Sequence, residues 1–567
     1  MNTSWRIFKP ENDLVQAFSQ ELKLSPLTAQ VLINRGIRSL PEADIFLNPR
    51  LAHLRDPIEI PDIEKAARRV LLARQRGEKV LVFGDYDVDG VTGTALLLQT
   101  LRFLGIPATY YIPHRYGEGY SLSLEAVKSI AQTGVKLIIT VDCGTASFIE
   151  IEEANALGME VVVTDHHNLP KQLPRAYAIV NPKRIVTDHP SKYLSGAGVA
   201  FKFAWALLRT AEVKDSLFLT SLLDLASLGT ISDVVPLTFE NRILAKAGLN
   251  LISERKRLGI RCLAEAASLF KRISVKHIYF VLAPRLNAAG RLEHASKSVE
   301  LLLAEDLSQA RALAEELNRI NVRRQDIGSS IKEEVFSRLD DKYISENKLV
   351  VLSGSSWHPG VIGIVASQVV DRYSRPTILV GVNDGVGRGS ARSVEGFNIY
   401  ELLDSCRDLF LDFGGHEGAA GFEILPENIA EMERRLKSQI EARLTFEELR
   451  PSLNIDAEIQ PSRISMSLIK ELEIFDPYGE GNPPPLFMSR ELKLYDLRQV
   501  GSAGRHLKAK FTDGDVTLDT IGFNLGSCAA ALSYDKSYDI AYRLETNEWD
   551  GFETAQLSLA DVREAKA

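Results

Sequence analysis

From Lys79 onward the chain alternates short apolar runs with longer stretches of helical period. KVLVFGD (79–85), ATYYIP (108–113), KLIITVD (136–142), EVVVTDHH (160–167) and AYAIVNP (176–182) are short, rich in β-branched residues and bounded by loops. That pattern predicts strands rather than buried helix. Between them TGTALLLQTLRFLG closes on Gly105 and ASFIEIEEANALG on Gly158, and glycine just past the last periodic residue is a helix stop. The alternation predicts a mainly parallel sheet covered on both faces. Ahead of it, residues 1–75 read as mixed helix and loop, broken at Pro57 and Pro61. Residues 195–270 read as mostly helical, and the charged segment 307–339 has helical period with few breakers, so it is expected to join two lobes. A second α/β lobe opens at KLVVLSG (348–354), and after it runs such as LKAKFTDGDVTLDTIGF predict a small all-β barrel. The expected division is 1–75, 76–250, 251–345, 346–447 and 448–567.

Composition narrows the class only a little. A chain of 567 residues exceeds one compact core, and 45% hydrophobic with 25% charged residues is ordinary for a soluble protein. No stretch approaches the uninterrupted apolar length of a membrane span, and Arg6, Lys9, Glu11 and Asp13 argue against a leader peptide. Cys143, Cys262, Cys406 and Cys528 are scattered without CxxC spacing, which predicts a reducing cytoplasm and no structural zinc. The net charge of −8 does not advertise a nucleic-acid binder, but a channel needs only a local basic stripe.

The placement of the acids is more telling. Asp85, Asp87 and Asp89 lie where the first predicted strand ends, Asp142 ends another, and Asp165-His166-His167 ends a third. Asp233 follows an apolar helical run in SLGTISDVVP. In a parallel sheet, ligands bind outside the carboxyl ends of the strands, so these side chains converge on one edge. Carboxylates and imidazoles at that density suit Mg²⁺ or Mn²⁺ better than Zn²⁺. A pair of such ions could activate water on one side and neutralise phosphoryl oxygens on the other.

Two other readings of the acidic segment compete. DxDxDG also opens a calcium-binding EF-hand loop, but that loop needs an acid at its twelfth position, where Leu96 stands, and a helix where VLVF precedes. Asp87-Val88-Asp89-Gly90-Val91 fits the text of a haloacid-dehalogenase-type phosphatase, which works through an aspartyl-phosphate and leaves Asp165-His166-His167 without a role. A lone aspartate at a strand end is often only a helix cap. Four acidic sites, one carrying two histidines, are hard to explain in that way.

Together these four segments resemble the motifs of the DHH phosphoesterase family, from about residue 75 to 445. The resemblance implies that Asp87, Asp89, Asp142, His166 and Asp233 ligate two divalent ions, Mn²⁺ or Mg²⁺, with Asp142 between them and Asp85 in or just behind the ligand shell. His167 would face the phosphate. GGHEGAAGF (414–422) is similar to the GGH motif of the DHHA1 domain, which would bring His416 to the substrate. APRLNAAGRLEHAS (283–296), GRGSARS (387–393) and IFDPYGEGNPPPLF (474–487) resemble the branch of the family that degrades single-stranded DNA from its 5′ end and carries a C-terminal OB-fold. By that resemblance Arg115, Ser390 and Arg392 would grip a 5′ phosphate, with Arg285, Asn287 and Arg291 as further substrate contacts. It also implies release of 5′ mononucleotides in recombination and repair, a single-strand-binding protein and a helicase as partners, and a monomer. Gly93 and Thr145 depart from the commoner family residues at positions that ligate nothing. A relative acting on short oligonucleotides or cyclic dinucleotides, and a binding protein without catalysis, are the alternatives. The intact acid set argues against the second.

Overall fold

The computed structural model describes residues 3–115, 118–119, 121–549 and 552–565. A short strand, β1 (Ser4–Ile7), precedes the first lobe, whose strands are β2 (Lys79–Gly84), β3 (Ala108–Tyr111), β4 (Val135–Val141), β5 (Glu160–Thr164) and β6 (Ala178–Val180). They form one sheet in the order β3-β2-β4-β5-β6 with every pairing parallel. The strands read as continuous apolar runs because both faces are covered. Val80 and Val82 of β2 enter one core with Leu137, Ile139 and Val162, while Leu81 and Phe83 enter the other with Ile138, Val161 and Val163. Parallel order sends all the strand ends, and the acids just past them, to a single edge.

The helix Leu307–Ser337 joins this lobe to the next. Ala310, Ala314, Leu317 and Ile320 are buried in the first lobe's core, whereas Ile331 and Val335 are buried with Trp357 and Val361 of the second. One helix therefore belongs to two cores, which fixes the spacing of the lobes. The second lobe contains β7 (Val350–Ser355), β8 (Thr377–Asn383), β9 (Val386–Arg392), β10 (Phe410–His416) and β11 (Ala419–Ile424), in the order β10-β11-β9-β8-β7. Only β7 and β8 run parallel.

The C-terminal part adds β12 (Ser452–Ile455), β13 (Ala457–Glu458), β14 (Phe487–Val500), β15 (His506–Thr512), β16 (Thr517–Gly522), β17 (Ser537–Trp549) and β18 (Phe552–Glu564). Pairing of β14 with both β15 and β17 closes β14-β15-β16-β18-β17 into a five-stranded barrel, the predicted OB-type architecture. The beginning of the chain folds against this end. β1 pairs in parallel with β12, Ser4 opposite Ser452, and Phe18, Leu32, Ile33 and Phe46 share a core with Phe475, Phe487 and Phe511. The sequence reading of residues 1–75 as helix and loop missed this strand. Ser4-Trp5-Arg6-Ile7 does alternate, but four residues are too few to signal a strand when the partner strand, Ser452–Ile455, lies so far along the chain.

A buried arginine ties the first lobe to the N-terminal segment and to the approach to the barrel. Arg242, on the helix Phe239–Glu254, donates to the carbonyls of Phe46, Ile474, Phe475, Asp476 and Pro477. Its guanidinium lies over the Phe46 ring, 4.1 Å from the centroid. These five bonds use all five guanidinium N–H groups. Burial lowers its pKa to about 10, which leaves it charged at neutral pH. Arg242→Met should therefore strand five buried carbonyls and cost at least about 3 kcal/mol in urea unfolding of the full chain. Arg242→Lys, which reaches fewer carbonyls, should recover only part of the loss. A methionine variant that unfolds with the wild type would show the knot to be dispensable.

Candidate metal centre

The acids occupy the sheet edge as the strand order requires, and the backbone there is shaped around them. Asp87 is the N-cap of the helix Val88–Phe103, its Oδ1 accepting from the amides of Asp89 and Gly90 at 2.9 and 3.0 Å. One of its oxygens is therefore a helix cap after all. Asp89 is the second residue of that helix, and both its oxygens accept amide hydrogens from the start of the helix Gly196–Thr210: Gly196 N at 2.5 Å and Ala197 N at 2.9 Å. Two helix N-termini thus point their positive ends at the acids. Asp142 leaves β4 with φ at 61°, in the left-handed region. A Cβ on Gly196 would come within 2.6 Å of its side chain, so only glycine allows that approach. Asp233 ends the helix Leu223–Ser232.

Asp165 has a different duty from the other acids. Its Oδ1 accepts from the amides of His166 and His167 and lies 2.8 Å from His167 Nδ1, while its Oδ2 accepts from Thr145 N at 2.9 Å. Burial would raise its pKa, but His167, His166 and Thr145 overcome that and hold it ionised. It shapes the turn that aims the two histidines. His166 Nε2 then stands 3.1 Å from Asp142 Oδ1, 3.6 Å from Asp233 Oδ2 and 4.0 Å from Asp89 Oδ2. Burial and the neighbouring His167 charge push His166 down to about 3, so it is a neutral imidazole, the form that binds metal. His167 goes the other way. Burial opposes its charge, but the hydrogen bond and charge of Asp165 win and raise it.

The donor atoms fall into overlapping groups. Asp85, Asp87 and Asp142 bring one ligand atom each within 4.8 Å of one another, as do Asp89, His166 and Asp233, and Asp142, His166 and His167. Asp142 and His166 each belong to two of the three sets. The electrostatics of the bare protein call for cations here. Burial, and then repulsion from Asp87, raise Asp85 and lift Asp89 to about 7. Burial and the surrounding aspartates raise Asp142 and Asp233 as well. Arg115, His167 and Lys183 relieve this only in part. Asp85 Oδ1 and Asp233 Oδ2 are buried and accept no hydrogen bond from any described residue. Such oxygen-rich, part-imidazole sets fit two divalent ions of the Mg²⁺ or Mn²⁺ kind.

Across the cleft the second lobe presents the other predicted side chains. Arg392 donates to Ser390 Oγ at 3.1 Å, and both lie against Gly363, where a Cβ would meet each at 2.8 Å. Burial and the charge of Arg115, which comes from the other lobe, push Arg392 down to about 10. His416, at the end of β10, is lowered by partial withdrawal from water and by Arg392 and His167. Arg115, Ser390, Arg392, His416 and His167 therefore gather beside the acids. The side chains of the APRLNAAGR segment bond within the protein. Asn287 Oδ1 accepts from Val88 N at 3.1 Å, Arg285 donates to Asn318 and to Val281 O, and Arg291 donates to Gly360 O at 3.1 Å in the other lobe. The sequence reading missed Gly196 and Ala197, whose amides hold Asp89, and Lys183, which senses Asp165 and Asp233. The S-G-A-G run after a loop was the available signal.

Family models match three stretches: the N-terminal domain of the DHH family over residues 79–230, the DHHA1 domain over 346–442 and the RecJ OB domain over 455–561. The chain is 38% identical over 561 residues to the single-stranded-DNA-specific exonuclease RecJ of Bacillus subtilis, covering 98% of this chain and 70% of that protein. It is 37% identical to the RecJ of Haemophilus influenzae, covering 94% and 95%. The crystal structure of Thermus thermophilus RecJ with Mn²⁺ superposes with a TM-score of 0.87 at 32% identity, over 100% of this chain and 80% of that one. With all three domains matched and the likeness running through the whole chain, the protein belongs to the RecJ family within the DHH phosphoesterases.

Proposed function

We propose that this chain is a metal-dependent exonuclease that hydrolyses single-stranded DNA from its 5′ end and releases 5′ mononucleotides. The observation that carries the reading is the juxtaposition of two overlapping carboxylate–histidine sets with two guanidinium groups, Arg115 and Arg392, and the neutral imidazole of His416, contributed by both lobes. When bound, a pair of Mn²⁺ or Mg²⁺ ions supplies a reactive water at neutral pH and neutralises charge on the phosphoryl oxygens. Asp85, Asp87, Asp89, Asp142, His166 and Asp233 would hold the pair, Asp142 and His166 each belonging to two of the donor sets. His167, anchored through Nδ1 on Asp165, turns its remaining nitrogen toward the cleft and donates to the scissile phosphate. Arg115, Ser390 and Arg392 take the 5′ phosphate, to which a planar guanidinium bonds bidentately. Fixing the terminal phosphate at a set distance from the acids makes cleavage stepwise from that end.

Arg285, Asn287 and Arg291 buttress the acid loop and the lobe junction in the bare protein, and they contact the strand as it lies across them. The barrel, a fold that often tracks single strands, guides the 3′ portion. Its register sets Arg498 opposite Lys508, but Arg498 also pairs with Asp496 and Lys510 with Asp519. The same likeness supports a monomer in the cytoplasm working beside a helicase and a single-strand-binding protein. Among the described residues no helix is long and apolar enough to cross a membrane.

A 3′-labelled, 5′-phosphorylated strand should shorten from its 5′ end with Mn²⁺. Shortening should stop with EDTA, in Asp142→Ala and on a 5′-blocked strand, and a blunt duplex should resist. Folded protein that shortens nothing in any divalent metal would overturn the reading in favour of small dinucleotide substrates.

The acids also make a stability prediction. Asp89 has a folded-state pKa of about 7 against 3.8 unfolded. Its contribution is full below pH 3.8 and is lost as pH rises toward about 7, because the folded state keeps the proton longer. Metal-free protein should therefore melt progressively lower than Asp89→Asn across that window, and the rise in Tm on adding Mn²⁺ should grow with pH. Parallel melting curves for the two proteins in EDTA would contradict the assignment of Asp89 to the repelling cluster.

A further inference from the structure

Arg115 stands on the loop that leaves β3, an edge strand paired on one side only, to β2. A loop at a sheet edge needs an anchor if it is to hold a guanidinium at a fixed place. Tyr111, the last residue of β3, stacks on Phe83 of β2, with ring centroids 5.4 Å apart and planes at 14°. Phe83 lies two residues ahead of Asp85. The Tyr111 hydroxyl donates to Glu118 Oε2 at 2.5 Å, and Glu118 Oε1 accepts from the His114 amide at 2.9 Å. The Glu118 amide in turn donates to the His114 carbonyl at 2.9 Å. Glu118 thereby closes residues 114 and 118 into a loop tied through Tyr111 to the strand that delivers the first acids.

Inside this closure Arg115 lies over the ring of Tyr86, 4.9 Å from its centroid. It comes close enough to Asp85 to favour that carboxylate's charge, and to Arg392 to oppose that guanidinium's. Glu118 is a carboxylate near a site meant for a phosphate, an unfavourable neighbour unless its charge is engaged elsewhere. Its two oxygens are spent on Tyr111 and His114.

We infer that Tyr111 and Glu118 are positioning residues for the strand's 5′ terminus: they hold Arg115 where the terminal phosphate arrives, and so set the preference for a phosphorylated end. This rests on the reading that Arg115, Ser390 and Arg392 bind that phosphate. Neither residue touches the strand. Their effect runs through Arg115, so it should appear in end preference and in KM, not in the hydrolytic step.

The test compares kcat/KM on 5′-phosphoryl and 5′-hydroxyl strands of one sequence. The proteins are wild type, Arg115→Ala, Tyr111→Phe, Glu118→Gln and the double variant Tyr111→Phe/Arg115→Ala. Tyr111→Phe keeps the ring on Phe83 and loses only the hydroxyl, and circular dichroism checks that it folds. The preference for the phosphorylated end should fall roughly tenfold in Tyr111→Phe, the scale of one lost hydrogen bond to a charged group. That fall should come through KM, with the hydroxyl strand unaffected, and Glu118→Gln should move in the same direction. The double variant should be no worse than Arg115→Ala, as expected for residues acting through one another. Equal losses on both strands, or additive losses in the double variant, would overturn the inference. If Arg115→Ala itself keeps the preference, the phosphate reading of Arg115 is wrong and the inference falls with it.

Discussion

Aspartates crowded where water cannot screen them repel one another, and the rest of the molecule is organised around that repulsion. Asp85, Asp89 and Asp142 are buried, and each neighbour's charge makes ionisation of the others harder. Folding alone would not choose such a cluster, since a buried charge without a partner is costly. The scaffold holds it mainly through the backbone. Helix amides at Gly196 and Ala197 grip Asp89, the amides of Asp89 and Gly90 grip Asp87, and a left-handed residue at the end of β4 turns Asp142 inward. Backbone groups carry no net charge of their own, so they restrain the carboxylates without neutralising them. The charge remains available to cations, which is what a divalent-metal site requires.

An edge built in this way has only one wall. Parallel strands deliver acids to one side of the sheet, and Ser390, Arg392 and His416 come toward that edge from the second lobe. The helix Leu307–Ser337 makes that wall dependable, because its two halves are buried in two different cores. The bond from Arg291 to Gly360 O adds a second tie close to the cleft. Bending the lobes apart would disturb packed apolar surface at both ends of the helix. The gap facing the acids is therefore a property of the packing and not of a flexible tether.

The barrel is coupled to the site as well. The linker ahead of it is gripped by Arg242 through four carbonyls, those of Ile474, Phe475, Asp476 and Pro477, and Leu237, four residues beyond Asp233, donates its amide to Glu480 O at 2.7 Å. The segment following one candidate metal ligand is thus braced by the approach to the C-terminal domain. The first strand of the chain pairs with β12, just ahead of that linker, so residues distant in sequence close around the same junction.

Much of this architecture was legible in the residues. Strands buried on both faces need apolar side chains at every position, so β2, β4 and β5 stand out in the text. Chain direction in a parallel sheet then places Asp85, Asp142 and Asp165 at one edge without further information. The long helix and the closed barrel were readable for the same reason, since their periods are set by neighbours along the chain. The division of labour among the acids was not. Both oxygens of Asp165 are occupied by its own turn and by Thr145, and Asp87 is half cap, neither of which residue type alone tells. Nor did the text reveal that Asn287 serves the Val88 amide, that Tyr111 reaches Glu118, or that Arg242 collects five carbonyls. The sequence by itself determined the elements and the chemical inventory, because periodicity and residue type are local properties. Only the tertiary structure decided which oxygen of each carboxylate stays available, because hydrogen bonds between distant segments depend on how whole elements pack.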